Sequence, residues 1–410
     1  MKILLLNLYY PPDNSATAKM AHTVVDTVST YHEVTVLCGR PSYDTSERRK
    51  WRLYQAETVG LARIIRVGST AFPRFEMKKR VLNYLTYAAL TVPRALFARC
   101  DAVLAMTDPP FEGILGAFVA MLKRKPYVYN IRDMYPDMAI GGAIVPPGRL
   151  TRMWEKLHRW ALRRAAKVIV LGGDMRARII GKGVDAARVE VIRDGAEILP
   201  STTPLPSPDP EVIHAIRDNF SFVLLHAGNL GFYGAWNTLI TAARKLASEG
   251  VGFVFVGDGA QRAEMQSAAA GADNIRFLDY FPYDKIHSVL AAPDAHLITV
   301  KRGLEGVVVP SKMYGILAAG KPIVAAAPKE TDVASLGLQQ GFAVSADPDR
   351  PGELVNVVRQ LATDRNKLKT MGDAARAAAS AYDRVVELQK FVKIFDDFSV
   401  NERDRKAEQA

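Results

Sequence analysis

Three loops of this chain hold side chains able to handle an anion or a hydroxyl group. The string EGVVVPSK, residues 305–312, sets Glu305, Ser311 and Lys312 just ahead of a helical pattern. A Lys and a hydroxyl there can meet phosphate oxygens, and a carboxylate can accept hydrogen bonds from sugar hydroxyls. Taken alone, an exposed loop Glu or Lys is equally a solvated one. HAGNLGFYGAW, residues 226–236, places Gly228, Asn229, Gly231 and Gly234 between a strand pattern and a helical one. Glycines let the backbone approach phosphate closely, and a helix N-terminus adds N–H donors and about half a unit of positive charge. The same string also serves as a plain glycine-rich turn. YNIRDMYPD, residues 129–137, ends a strand with Arg132, Asp133 and Asp137 near Pro136. Such groups could position or deprotonate a hydroxyl, or cap a loop.

Other strings imitate sites and fail on chemistry. GILAAGKP, residues 315–322, spells G-x-x-x-x-G-K, but Pro322 replaces the hydroxyl that would hold Mg²⁺ in a P-loop. The order is also reversed: KMYGILAAG has helical spacing, Gly320 suits the residue after a helix end, and PIVAAA reads as a following strand. VGDG, residues 256–259, reads as a structural turn. DPD, residues 347–349, resembles an Asp-x-Asp metal clasp, yet it precedes a helical pattern where Asp most often caps. No G-x-G-x-x-G follows the first strand pattern, which argues against hydride transfer. No His, Cys and carboxylate set has metal-ligand spacing, and no G-x-S-x-G appears.

The elements that must position these loops alternate. In the first half, KILLLNL, EVTVLC, IIRV, AVLAM, YVYNIRD, KVIVLG and VEVIRDG read as strands separated by helical patterns. After the Pro- and Ser-dense LPSTTPLPSPDPE the alternation restarts with FVLLHAGN, GFVFVGDG, IRFLDYF, HLITV, PIVAAA and GFAVSA. The reading is α/β, with a domain over 1–198, a linker at 199–211, a second domain over 212–373, a helical region over 374–400 and a polar tail at 401–410. At 410 residues, with 49% hydrophobic and 24% charged side chains, the chain is long enough for two globular cores. In open α/β sheets ligands sit beyond the carboxyl ends of the strands, so two such domains make a cleft between them.

Charge is uneven along the chain. Residues 1–200 hold 31 Lys+Arg against 18 Asp+Glu, the remainder 23 against 25, so the whole net charge of +11 arises in the first half. In GRLTRMWEKLHRWALRRAAK, Arg149, Arg152, Lys156, Arg159 and Arg163 share one helical face beside Leu150, Met153, Trp154, Leu157, Trp160 and Ala161. Most helices of this kind pack in a core with a solvated basic side. Lys78, Lys79 and Arg80 beside an apolar run add a second basic segment, and together they point to an anionic membrane surface. No run reaches the roughly 20 apolar residues of a span, the longest, 81–92, stopping at Pro93. Cys38 and Cys100 lie in apolar strings, as buried thiols of a reducing compartment do, which points to the cytoplasm. No nucleic-acid module accompanies the charge.

Taken in order, YYPPDNSATA, IRDMYPD, RRAAKVIVLGGDMRARIIGKGVDAARVEVIRDGAEI, HAGNLG, VFVGDG and EGVVVPSKMYGILAAGKPIVAA resemble the retaining GT-B glycosyltransferases of family 4, in the branch that builds bacterial surface polysaccharide. The resemblance spans nearly the whole chain. It implies two Rossmann-like, doubly wound parallel-sheet domains facing across a cleft, with the C-terminal helical region returning to the first. It implies transfer of a sugar from a UDP- or GDP-linked donor to a lipid-linked or saccharide hydroxyl acceptor at the cytoplasmic face of the membrane, with retention, no metal and no cofactor. Gly228, Asn229, Gly231, Ser311 and Lys312 would then hold the diphosphate, with Lys301 or Arg302 as helpers. Glu305 would orient the donor sugar and Asp133 would engage the acceptor hydroxyl. The chain departs from the family at Gly315, where relatives commonly carry a second Glu for the ribose. A sugar-nucleotide 2-epimerase of the same fold, or a non-catalytic donor-binding partner subunit, are the other readings, and a product assay separates the three.

Overall fold

The computed structural model describes residues 1–13, 15–41, 52–72, 77–198 and 207–408, with the backbone alone at 77–78 and 401–408. β1 (Lys2–Leu6), β2 (Glu33–Cys38), β3 (Tyr54–Val59), β4 (Ala62–Val67), β5 (Ala102–Ala105), β6 (Tyr127–Asn130), β7 (Lys167–Val170) and β8 (Val189–Val191) form one sheet, in the order β3-β4-β2-β1-β5-β6-β7-β8. All neighbours run parallel except the β3–β4 hairpin at the edge. β9 (Phe222–Ala227), β10 (Val251–Val256), β11 (Ile275–Leu278), β12 (Ala295–Thr299), β13 (Ile323–Ala326) and β14 (Ala343–Ala346) form a second, fully parallel sheet, in the order β11-β10-β9-β12-β13-β14.

Helices cover both faces of each sheet, so the strands are apolar at successive positions instead of alternating. All of β10 is buried, as is β1 after Lys2. Every strand read from the sequence is present. Only β3 went unread: YQAETV is an edge strand, mostly solvated, and lacks the apolar signal of the others.

In each sheet the chain reverses its direction of travel at one place, between β1 and β5 in the first and between β9 and β12 in the second. Loops leaving these strands diverge, which opens a crevice at the strand ends. The two crevices face each other across a packed floor: Tyr129 and Met175 of the first domain and Leu304, Val307 and Tyr314 of the second belong to one apolar cluster.

The boundaries sit differently from the sequence reading. Residues 199–206 of the expected linker lie outside the described residues, and Asp209 already caps the helix Pro210–Arg217, accepting from Glu211 N–H at 2.9 Å. The expected boundary at 373 falls inside the helix Arg365–Ala379, which packs on the second domain, where Gly372 closes on the Gly320 carbonyl. The crossing comes at Ser380–Asp383, where Ala196 and Asp383 form a β-bridge. From there the helix Arg384–Glu408 returns to the first domain, its Leu388, Phe391, Val392 and Phe395 joining Ile3, Leu5 and Val34. The backbone of 401–408, read as a polar tail, continues this helix. The helix Met77–Phe97 likewise runs on through Pro93. No helix among the described residues is long and apolar enough to cross a membrane.

Candidate functional site

On the second domain, the end of β9 is bare backbone. Gly228 has φ +137°, and a Cβ there would lie 3.1 Å from Lys312 Nζ. The following loop lies against 257–259: a Cβ on Gly257 would sit 2.1 Å from the Gly228 carbonyl, and one on Gly259 2.5 Å from that of Leu230. VGDG is therefore a turn shaped by close approach, as its sequence suggested. Asn229 lies beside Gly231 and Gly259, its carbonyl accepting from the Tyr233 hydroxyl.

Lys312 opens the helix Lys312–Ala318, and Ser311, exposed at its N-cap, makes no side-chain capping bond. Lys312 Nζ is 2.8 Å from His226 Nε2, while His226 Nδ1 is 3.0 Å from the Leu297 carbonyl. The carbonyl assigns the proton to Nδ1 and leaves Nε2 to accept from Lys312. Trp236 holds the imidazole edge-on at 5.0 Å, and burial, then the Lys312 charge, pushes His226 well below its usual pKa, so it stays neutral. Burial also lowers Lys312, to about 7.

The other residues expected here divide. Glu305 lies on the loop between β12 and this helix, its Oε1 accepting from Gly303 N–H at 2.9 Å. Lys301 donates its backbone N–H to the Tyr233 carbonyl at 2.8 Å, which brings its loop to the glycine loop. Arg302 points elsewhere: its guanidinium pairs with Asp349 at 2.6 Å and Asp347 at 2.8 Å. This corrects two expectations, since Arg302 is committed and the DPD carboxylates hold it, whereas Arg350 occupies the N-cap of the helix Pro351–Thr363. Gly315 carries no steric demand, for a Cβ there would touch Leu290 at an ordinary 3.5 Å. Gly320 ends its helix with φ +63° and Lys321 Nζ bonds the Pro293 carbonyl at 2.9 Å, as the failed P-loop reading requires.

On the first domain, the strand ends carry ionisable side chains. Asp133 forms a β-bridge with Val308 of the loop before the helix Lys312–Ala318, and Met134 N–H donates to the Val307 carbonyl at 3.1 Å. The two loops singled out from sequence are thus stitched together by backbone. Burial, then the charge of Asp108, raises Asp133 to about 6. Asp108, just beyond β5, is raised by burial and bonded to Thr17. Arg80 stands near it, 5.5 Å from the Tyr84 ring, with Nε buried and unpartnered among the described residues. Tyr135 stacks on Trp154 at 5.9 Å. Arg132 is taken by a bidentate pair with Asp194 at 2.8 and 2.6 Å, and Asp137 bonds Arg178 and Lys182.

The domains also clasp at Asp174 and Asp332. Asp332 accepts from the N–H groups of Gly173 and Asp174 at 2.9 and 3.1 Å, while Asp174 accepts from Asp332 N–H at 3.2 Å. Two helix N-termini, one per domain, thus cap each other. Among the described residues no group of three or more His, Cys, Asp or Glu side chains could hold a metal ion. His226 and Asp108 were missed, being buried or half-buried beside partners remote in sequence, with only the place of His226 in HAGN and of Asp108 just past a strand to hint at them; Arg80, read from sequence as part of a membrane-facing basic segment, instead turns inward toward Asp108.

Residues 17–195 match the model of a glycosyl transferase 4-like domain, and residues 221–364 that of the glycosyl transferases group 1. WcaI of Escherichia coli K12, whose name assigns it to colanic acid biosynthesis as a glycosyl transferase, is 26% identical over 88% of this chain and 92% of its own length. The 2-deoxystreptamine glucosyltransferase of Streptomyces kanamyceticus is 30% identical over 62% of this chain and 69% of its own. Among solved structures, Anabaena HepE in complex with UDP superposes with a TM-score of 0.66 at 20% identity, covering 97% of this chain and 100% of that one.

Proposed function

We propose, from the premise that this chain belongs to the family 4 glycosyltransferases of GT-B fold, that it moves a sugar from a UDP- or GDP-linked donor to a hydroxyl of a lipid-linked saccharide, with retention of configuration. One observation carries the donor side: the Lys312 amine stands 3.1 Å from where a Cβ of Gly228 would be, at the crevice between β9 and β12. A nucleoside diphosphate laid there passes the bare backbone of Gly228, whose own N–H is spent on the Val256 carbonyl at 2.8 Å, and meets the N–H groups of Asn229 and Gly231, the Ser311 hydroxyl and the Lys312 ammonium, with Lys301 close by. These groups stabilise the charge that grows on the leaving diphosphate, and that assignment calls for no metal.

Glu305 orients the donor sugar, and Asp133, held against the same loop, receives the acceptor hydroxyl. Gly315 leaves the ribose to backbone contacts. HepE complexes with UDP and with UDP-glucose support a uracil donor, and the name of WcaI supports a surface-polysaccharide product. The membrane face is the helix Arg149–Arg164: Leu150, Met153 and Leu157 are exposed beside its basic residues, so its apolar side is only partly spent on the core. Val81, Leu82 and Leu85 of the helix Met77–Phe97 are exposed too.

The test is a screen of UDP- and GDP-sugars for thermal stabilisation, where ligand at about 100 times its Kd adds roughly 2.7 kcal/mol. Turnover of the stabilising sugar nucleotide with and without a polyprenyl-diphosphate saccharide follows. Stabilisation by none of them would overturn the donor assignment. Product formed without acceptor would favour the epimerase, and binding without turnover the non-catalytic subunit that Gly315 allows.

A further inference from the structure

Arg178 belongs to the helix Gly173–Gly181 of the first domain, yet its Nη1 donates to the Glu305 carbonyl of the second at 3.0 Å. Its Nε and Nη2 both reach Asp137 Oδ1, at 3.2 and 3.0 Å. The other Asp137 oxygen takes Lys182 Nζ at 2.7 Å, and Lys182 also bonds both oxygens of Glu155 at 2.8 and 2.9 Å. Lys182 and Asp137 are largely buried, with side-chain exposures of 7% and 15%. Although burial opposes it, Lys182 and Arg178 hold the Asp137 carboxyl below the usual range. The guanidinium is therefore fixed by two bonds to a charged anchor, which leaves its third edge aimed at one peptide.

That peptide needs holding. It lies between Gly303 and Gly306, both at positive φ, +89° and +63°, in a turn closed by Leu304 N–H to the Lys301 carbonyl at 3.2 Å and Val307 N–H to the Leu304 carbonyl at 3.1 Å, neither of which engages the Glu305 carbonyl. Gly306 is pressed against the first domain, where a Cβ would come 2.5 Å from the Asp174 carbonyl. Among the described residues the Glu305 carboxylate bonds only the Gly303 N–H of its own turn, so the direction of its side chain follows from the direction of its peptide.

We propose that Arg178, anchored by Asp137, is a positioning residue for Glu305: it sets from the opposite domain the peptide that carries the sugar-orienting carboxylate. Glu305 then faces the donor sugar correctly only while the domains are closed as they are here. The inference rests on the reading that Glu305 orients the donor sugar, and it explains what the second carboxylate of IRDMYPD is for. The device acts on the sugar and leaves the diphosphate contacts alone, so it moves kcat and spares nucleotide affinity.

The full chain is assayed with UDP and UDP-glucose, or with GDP and GDP-mannose where the wild type prefers guanine. Arg178→Ala should keep the nucleoside diphosphate Kd within about twofold and lower kcat by roughly 10- to 100-fold, the scale of a misplaced group. Arg178→Lys should recover part of the loss, and Arg178→Ala with Glu305→Gln should be no slower than Glu305→Gln alone. Unchanged kcat, equal weakening of diphosphate binding, or full additivity in the double variant would overturn the proposal, and Arg178→Lys supplies the same readings if the alanine variant does not fold. A wild type that binds neither diphosphate fails the donor reading itself, before Arg178 is altered.

Discussion

At the crevice of the first sheet the strands end in side chains that ionise, Asp108 and Asp133, with Arg80 and Tyr135 around them. At the matching crevice of the second they end in glycines, one neutral imidazole and one Lys. The strand orders are alike: with the outermost strand β3 set aside, the first sheet repeats the order of the second and adds one strand, β8. Burial shifts both sets toward the uncharged form, raising the carboxyls of one side and lowering the ammonium of the other. A topology that places loops does not choose their chemistry. Under the proposed assignment an anion is met by backbone donors and a desolvated cation, and a hydroxyl by carboxyls ready to take its proton.

The contrast breaks most easily at Lys312. Lys312→Ala should lower kcat by about 10²- to 10³-fold, as loss of one preorganised donor to developing charge does, whereas unchanged turnover in a folded variant would remove Lys312 from the site. Its pKa of about 7 carries a sign: the ammonium is present below that pH, so kcat/KM should fall as pH rises through about 7. Bound diphosphate favours the ammonium and should shift the same limb of kcat upward, and Lys312→Arg should erase it.

On the other side, Asp133→Asn should cost about 10²-fold in kcat with donor binding unchanged. Asp133 serves as carboxylate, so activity should rise with pH through about 6, and this acid limb should vanish in the variant. Weakened donor binding in Asp133→Asn would blur the division between the domains. A smaller effect concerns the outer surface: binding of the full chain to anionic vesicles should exceed that to neutral ones, by about 1 kcal/mol per basic residue engaged, and fade with salt. Equal sedimentation with both vesicle types would overturn the membrane face. The smallest expected change is none at all, after exhaustive EDTA, because the leaving group is assigned to Lys312, Ser311 and N–H groups of the glycine loop. Loss restored by Mg²⁺ or Mn²⁺ would put a cation where Lys312 was placed.

What the sequence revealed follows the range of the forces involved. Strands such as FVLLHA and VGFVFV announce themselves because burial on both faces leaves continuous apolar runs. The glycine loop and EGVVVPSK were legible because strand ends and helix starts are local. Arg302 was misjudged because its partners, Asp347 and Asp349, lie more than forty residues on. Arg178 was invisible for the same reason, its tie to Glu305 spanning 127 positions. The boundary at 373 failed because an alanine-rich helix continues without a break until the turn at Ser380–Tyr382.

The helix Arg384–Glu408 also sets a clock. Leu388, Phe391, Val392 and Phe395 share a core with β1 and β2, but a ribosome makes them after all the strands of both sheets. At about 5–20 residues per second, roughly 20 to 70 s pass between the two contributions. During that interval the second domain has everything its sheet requires, while one face of the first stands open to water, to chaperones and to other nascent chains. The domain that begins the chain is the later of the two to close, and a stop codon at residue 384 would leave it with that face bare.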